Sequence, residues 1–410
     1  MGAAAFQDFD AIDVDVGETR IFLRRSGAGP AVLLLHGFPQ THLMWRRVAP
    51  LLARRFTVVC PDLRGYGRSG CPASRADHAP YAKRAMANDM VFAMEKLGFA
   101  RFSVAGHDRG GRVAYRLALD HPERVERLAV LDVLSTADAW ERADKRLATA
   151  FWPWSLLAQP EPLPERLVSS APDAVIDDAL GGWGSPGDAF DPEVRAAYID
   201  ALRDPARVHA ICEEYRAAAT LDHEHDAEDR QAGRRIACPV LVLWSGRGPL
   251  DSWYADEGGP LALWKAWAND VRGGALDAGH FFPEEVPERT AQELSAFFSP
   301  HVSRIDFRMN NKTLVKPRTK VQPKTQRPPL YKVILLNDDY TPREFVVLVL
   351  KAVFRMNADQ AYRVMMTAHR RGACVIAVYT RDVAETKAKE ATELGKSKGY
   401  PLFFTTEPEE

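Results

Sequence analysis

Alternating strand-like and helix-like segments predict that most of this chain is an α/β domain, with a mostly parallel sheet, helices on both faces and a helical cap. A smaller α+β unit follows. Short apolar runs at Ala31–Leu35, Thr57–Cys60, Phe102–Ala105, Leu128–Leu131 and Pro239–Leu243 read as buried strands. Helical patterns at Lys83–Leu97, from Gly110 and through Glu288–Phe298 alternate with them, the order that gives a parallel sheet. From about 135 to 231 the text turns aromatic and helical, including Phe151-Trp152-Pro153-Trp154, which fits a cap that excludes water from the sheet's carboxyl edge. From Arg304 to Pro329 periodicity gives way to Lys, Arg and Pro, a composition too poor in apolar surface to offset chain entropy. The expected organisation is therefore a catalytic domain over 1–303, a flexible basic linker over 304–329 and a compact domain over 330–410. In the last, Tyr331–Leu336, Cys374–Tyr379 and Leu402–Thr405 read as strands, and Arg343–Phe354, Ala358–Arg370 and Val383–Leu394 as helices.

At 410 residues, two folded units are the better expectation than one, and a hydrophobic fraction of 46% is ample for two cores. A formal net charge of −1 argues against a nucleic-acid partner for the whole chain. The five cysteines are dispersed and form no CxxC, the pattern of a reduced compartment. The start lacks a basic segment followed by an apolar run, and no stretch approaches the roughly 18 apolar residues of a membrane span. These features lead us to expect a cytoplasmic protein with no membrane association. The run Asp222-His223-Glu224-His225-Asp226 reads as a solvated stretch rather than a metal site, because no further ligands accompany it. No metal or cofactor is expected.

The chemistry centres on Val104-Ala105-Gly106-His107-Asp108-Arg109-Gly110-Gly111-Arg112. Gly106-x-Asp108-x-Gly110 between a strand and a helix reads as a nucleophile elbow, with Asp108 where a serine more often stands. A carboxylate nucleophile attacks saturated carbon, displaces a leaving group and becomes an ester that water must cleave. That second step needs a base, and His280 in Asp277-Ala278-Gly279-His280-Phe281 is the candidate. The acid orienting it is either Asp132, which ends the strand after the elbow unit and is preferred, or Asp251, after the strand ending near Trp244. Backbone amides of Phe38, in His36-Gly37-Phe38-Pro39, and of Arg109 are candidates for stabilising the oxyanion. Arg109 and Arg112, three apart on one helix face, suit a substrate that is itself a carboxylate.

With these motifs in view, residues from about Ile21 to Phe298 resemble the fluoroacetate (haloacetate) dehalogenases of the α/β-hydrolase fold. The resemblance rests on His36-Gly37-Phe38-Pro39, Asp62-Leu63-Arg64-Gly65-Tyr66-Gly67, His107-Asp108-Arg109-Gly110-Gly111-Arg112 and Gly279-His280-Phe281. It implies nucleophile Asp108, base His280, acid Asp132, carboxylate binding by Arg109 and Arg112, halide binding by Trp154 and Tyr215, and a homodimer. Related epoxide hydrolases carry Trp where Arg109 stands and want paired cap tyrosines, and Tyr215 has no obvious second in the sequence. Pro153 departs from the family, which has a histidine there donating to the halide; proline offers no side-chain donor and no N–H. Fluoride depends most on such a donor, so chloroacetate or bromoacetate is expected to be turned over better than fluoroacetate.

In the last domain, Tyr331-Lys332-Val333-Ile334-Leu335-Leu336-Asn337-Asp338-Asp339-Tyr340-Thr341-Pro342 is a strand running into a polar turn and a helix start, with Thr341 and Pro342 suited to the first turn. Asn337 and Asp338 could hold an ammonium group, with His369 nearby. Residues 330–408 resemble the ClpS-type adaptors of the N-degron pathway, most specifically in Asn337-Asp338-Asp339-Tyr340-Thr341-Pro342 and Val383-Ala384-Glu385-Thr386-Lys387. The resemblance implies that Asn337, Asp338 and His369 bind the α-amine of a peptide whose first residue is bulky and apolar. Leu335, Thr341, Val346, Met365, Ala368 and Leu402 would line its side-chain pocket, and Asp382 and Lys387 would dock the N-terminal domain of a Clp ATPase. Arg343 replaces the family's usual Met, and Ala368 its usual Val. The alternative to two active modules is an adaptor carrying an idle hydrolase domain.

Overall fold

The computed structural model describes residues 6–299, 330–338, 340–354, 356 and 358–409. Two compact units emerge, Met1–Ile305 and Asp306–Glu410. The expected linker, 304–329, lies outside the described residues.

The first unit is built on eight strands: β1 (Asp10–Asp15), β2 (Arg20–Ser26), β3 (Ala31–Leu35), β4 (Thr57–Pro61), β5 (Phe102–His107), β6 (Val125–Leu131), β7 (Val240–Ser245) and β8 (Val271–Leu276). They lie in the order β1-β2-β4-β3-β5-β6-β7-β8. Only β2 runs antiparallel to its neighbours; from β4 to β8 every pairing is parallel. The central strands β3, β5 and β7 are buried along their whole length, as strands covered on both faces must be. The two faces form separate apolar clusters, one holding Val104, Val113 and Met90, the other Ala105, Trp45 and Phe297.

All helices from Thr136 to Gln231 fall between β6 and β7, where the cap was expected. Apolar packing joins the cap to the sheet, since Trp154, Tyr198 and Tyr215 belong to the same cluster as Val104. Ion pairs also hold it. Arg116, on the helix Arg109–Asp120 that follows β5, binds Asp226 at 2.6 Å and Asp229 at 2.5 Å. Asp222 accepts from the Lys83 amide at 2.7 Å. The acidic face of the helix Leu221–Gln231 is thus spent on Lys83 and Arg116.

The second unit has three antiparallel strands, β9 (Leu330–Leu336), β10 (Ala373–Thr380) and β11 (Phe403–Pro408), with β9 central. The helices Arg343–Phe354, Ala358–Arg371 and Arg381–Ser397 cover one face. Val333, Leu335, Val349, Leu350, Ala391 and Phe404 form its core.

Candidate active site and peptide pocket

The end of β5 turns abruptly into the helix Arg109–Asp120, and Asp108 occupies that turn at φ 48° and ψ −117°. Such a backbone is strained for a residue with a β-carbon, and it raises the carboxylate above the sheet edge. Glycines nearby make room for it. A β-carbon at Gly106 would collide with the Gly110 carbonyl, and one at Gly37 would come 2.5 Å from Asp108 Oδ1. The space left lets the Phe38 amide donate to Asp108 Oδ1 at 2.9 Å.

Asp132, just past β6, also has positive φ, 51°. Its Oδ1 accepts from the Ser245 amide at 2.8 Å, and its Oδ2 pairs with His280 Nδ1 at 2.6 Å. That fixes the imidazole with Nε2 as its free nitrogen; Nε2 is buried and has no partner among the described residues. Burial pushes the His280 pKa down, but the hydrogen bond and charge of Asp132, helped by Asp108, carry it above the ordinary imidazole value. The alternative orienter Asp251 is excluded by geometry: it is exposed and accepts from Trp244 Nε1 at 2.9 Å.

A cavity of about 40 Å³ brings Asp108, Asp132, His280, Arg112 and Trp154 together. The two arginines are held differently. Arg109 is fully buried and bound to Glu214, with Nε 2.9 Å from Oε1 and an Nη donor 3.2 Å from the main-chain oxygen. It lies 3.9 Å over the Tyr215 ring, and neither residue is among those lining the cavity. Arg112, 5% exposed, lines the cavity itself. It has only a long 3.4 Å contact with Thr136 Oγ1 and a face of Trp154 at 4.4 Å; no carboxylate pairs with it among the described residues. Burial drives its pKa below the usual guanidinium value. Pro153 is buried in the first turn of the short helix Trp152–Leu156 that carries Trp154.

In the second unit, one cavity of about 30 Å³ is lined by Asn337, Asp338, Thr341, His369, Met365 and Leu402, together with Leu335, Val346 and Ala368. Its floor is apolar and buried; its rim is half-buried or exposed. Asp338 already accepts from the Thr341 amide at 2.6 Å, the Thr341 hydroxyl at 2.8 Å and the Tyr340 amide at 2.9 Å. It closes the turn that leads into the helix Arg343–Phe354 as well as facing the pocket. Arg343 also lines the pocket and donates to His369 Nε2 at 2.7 Å, which leaves that ring Nδ1–H as its donor. Lys387 Nζ donates to the Val353 carbonyl at 2.7 Å. The side chain of Asp382 lies outside those described.

Comparison with known proteins assigns each unit to a family. A family model for the alpha/beta hydrolase fold matches residues 30–286, and one for the ATP-dependent Clp protease adaptor protein ClpS matches 326–405. A fluoroacetate dehalogenase from Burkholderia sp. is 46% identical over 295 residues, 72% of this chain and 95% of the relative. A soluble epoxide hydrolase from Corynebacterium sp. is 31% identical over 288 residues, 67% of this chain and 92% of the relative. An ATP-dependent Clp protease adapter protein, ClpS 2 of Mesorhizobium japonicum, is 73% identical over 95 residues, 23% of this chain and 94% of the relative. The chain joins an α/β-hydrolase of the fluoroacetate dehalogenase family to a ClpS adaptor domain.

Two features of the hydrolase unit escaped the sequence reading. The first is the setting of Arg109. Glu214 Oε1 also pairs with Lys83 at 2.7 Å, and its Oε2 accepts from the Tyr66 hydroxyl at 2.5 Å. Burial raises the Glu214 carboxyl, yet Arg109 and Lys83 hold it at about 2. A Glu in the mixed helix Pro205–Ala219 signals nothing until the fold puts two cations beside it. The second is Tyr254, which follows the short helix Pro249–Trp253 and lines the cavity beside Trp253.

Proposed function

We propose that the hydrolase unit removes halide from a short haloacid, turning a haloacetate into glycolate. One observation carries this reading: Arg112 is a buried guanidinium without a carboxylate partner, in the wall of the cavity that holds the candidate nucleophile. An unpaired buried cation costs several kcal/mol, by order of magnitude, and a bound carboxylate offsets that cost. With the acid seated on Arg112, and Arg109 adding its field, Asp108 attacks the α-carbon. A C–O bond forms as the C–halogen bond breaks, and the halide leaves with the bonding pair. Water then attacks the ester carbonyl carbon of Asp108 while its proton passes to His280 Nε2. Collapse of the tetrahedral centre expels glycolate, which takes that proton, and Asp108 releases water's second proton to the solvent to regain its carboxylate. The Phe38 amide and that of Arg109 stabilise the intermediate oxyanion.

Trp154 and Tyr215 receive the halide in this reading, and Pro153 leaves chloroacetate and bromoacetate as better substrates than fluoroacetate. The unit acts as a homodimer in the cytoplasm. Halide release by the intact chain, and its loss in Asp108→Ala, tests the reading; release unchanged by the substitution would refute it.

A second reading is epoxide opening through the same ester. Tyr254 favours it, because it places a phenol in the cavity wall, which Tyr215 does not line. Arg112 opposes it, since a neutral epoxide leaves the buried charge unpaired. Styrene oxide turnover without halide release separates the two.

For the C-terminal unit we propose capture of peptides that begin with a bulky apolar residue. Asn337, Asp338 and His369 take the α-amine, and Thr341, Met365 and Leu402 the side chain. Delivery follows through Asp382 and Lys387 to the N-terminal domain of a Clp ATPase. Titration with a Phe-starting peptide and its acetylated twin tests amine recognition, and equal binding would refute it.

A further inference from the structure

Six tyrosines of the hydrolase unit are buried: Tyr66, Tyr81, Tyr115, Tyr198, Tyr215 and Tyr254. Tyr66 donates to Glu214, Tyr81 to the Pro72 carbonyl, Tyr115 to Asp226 and Tyr198 to Glu284. Among the described residues the hydroxyls of Tyr215 and Tyr254 have no hydrogen-bond partner. A phenol on a buried ring ordinarily finds a partner; here neither oxygen is itself fully enclosed, and each exception asks for an explanation. For Tyr215 the explanation is the halide role already given. Tyr254 has none so far.

Its position supplies one. Tyr254 is 4% exposed and shares the cavity wall with Asp108, His280, Arg112 and Trp154. Burial raises its pKa, partly offset by the Arg112 charge, so the phenol keeps its proton at neutral pH and is a donor. An anion leaving carbon inside this cavity needs donors, and Pro153 provides none.

We propose that Tyr254 is a further catalytic residue, whose hydroxyl donates a hydrogen bond to the halide as it leaves. The inference rests on the dehalogenase reading. As Asp108 bonds to the α-carbon, the halide departs with the bonding pair and accepts from the Tyr254 O–H; the proton stays on the phenol oxygen. A neutral donor is weaker than a charged one, so it sustains fluoride departure only in part.

Tyr254→Phe removes the hydroxyl and keeps the ring, and melting temperature confirms that the variant folds. Fluoride and chloride release from fluoroacetate and chloroacetate are measured for both proteins, with kcat and KM separated. We expect kcat for fluoroacetate to fall about ten- to hundredfold, the worth of a hydrogen bond to a charged group, and that for chloroacetate only a few-fold, at unchanged KM. Equal losses on both substrates, or no loss, would overturn the proposal. A KM raised equally for both would also do so, by assigning the phenol to the carboxylate. Wild-type protein that releases neither halide would overturn the dehalogenase reading itself, and this inference with it.

Discussion

The two cavities hold the same kinds of group in opposite settings. In the hydrolase unit His280 is 2% exposed and Arg112 5%, and every carboxylate near them is pinned by amides or cations. In the ClpS unit His369 and Arg343 are exposed, and Asp338 both holds its own turn and lines the pocket. Making and breaking bonds to carbon rewards groups fixed in a dry site, where each interaction is worth more. Recognising a passing chain end needs only an apolar floor and a rim that water can leave and re-enter.

The contrast is broken most severely at Asp108. Asp108→Asn should lower halide release by at least about a thousandfold and leave peptide affinity unchanged; release within tenfold of wild type would contradict it. His280→Gln sharpens the two-step scheme. It should release about one halide per chain and stop, with the ester mass retained on the Asp108 peptide.

At Arg112 function and stability should part. Arg112→Met is expected to raise KM for chloroacetate about ten- to hundredfold, the loss of a charge-assisted contact. It should also hold or raise the melting temperature, because it removes a buried charge with no partner. A lower melting temperature would mean that Arg112 serves the fold.

The pH profile is a subtler probe. His280 must be neutral to accept a proton, and its pKa is raised, so ester hydrolysis should fall on the acid side through a midpoint above roughly 6.5. Asp132→Asn removes the largest effect opposing burial and should move that limb to lower pH while slowing turnover. The smallest effect belongs to the exposed rim. Asp338→Ala should cost the ClpS unit about 1 kcal/mol for the lost hydrogen bonds of the turn, alongside weaker peptide binding. Arg343→Met should alter affinity for Phe- over Leu-starting peptides by only a few-fold, since an exposed contact is worth less than about 1 kcal/mol.

How much of this was legible follows the same contrast. The buried strands β3, β4, β5, β6 and β7 announced themselves as apolar runs, and the elbow by its glycines. β1, β2 and β8 did not, because strands at or next to the sheet's edges carry charge or glycine: Arg20, Arg24 and Arg25 in β2, Gly273 and Gly274 in β8. Asp108 and Asp132 could be singled out because each stands at the end of a recognisable strand, and His280 because Gly279-His280-Phe281 precedes the final helix. The placing of Arg109 against Glu214, away from the cavity wall, could not, because only tertiary packing brings the helices Pro205–Ala219 and Arg109–Asp120 together. Tyr254 was hidden for a similar reason: it sits in an irregular stretch with no periodic signal. In the ClpS unit the pocket residues were legible from the resemblance alone; spacing would have shown only a turn.

The central claim is that a side chain of this protein, and not water, makes the first bond to the substrate's carbon. One turnover of chloroacetate in ¹⁸O-water, with enzyme in excess, tests it most directly. The account predicts heavy oxygen in the Asp108 carboxylate and unlabelled glycolate; label passing straight into glycolate, with Asp108 unchanged, would contradict it.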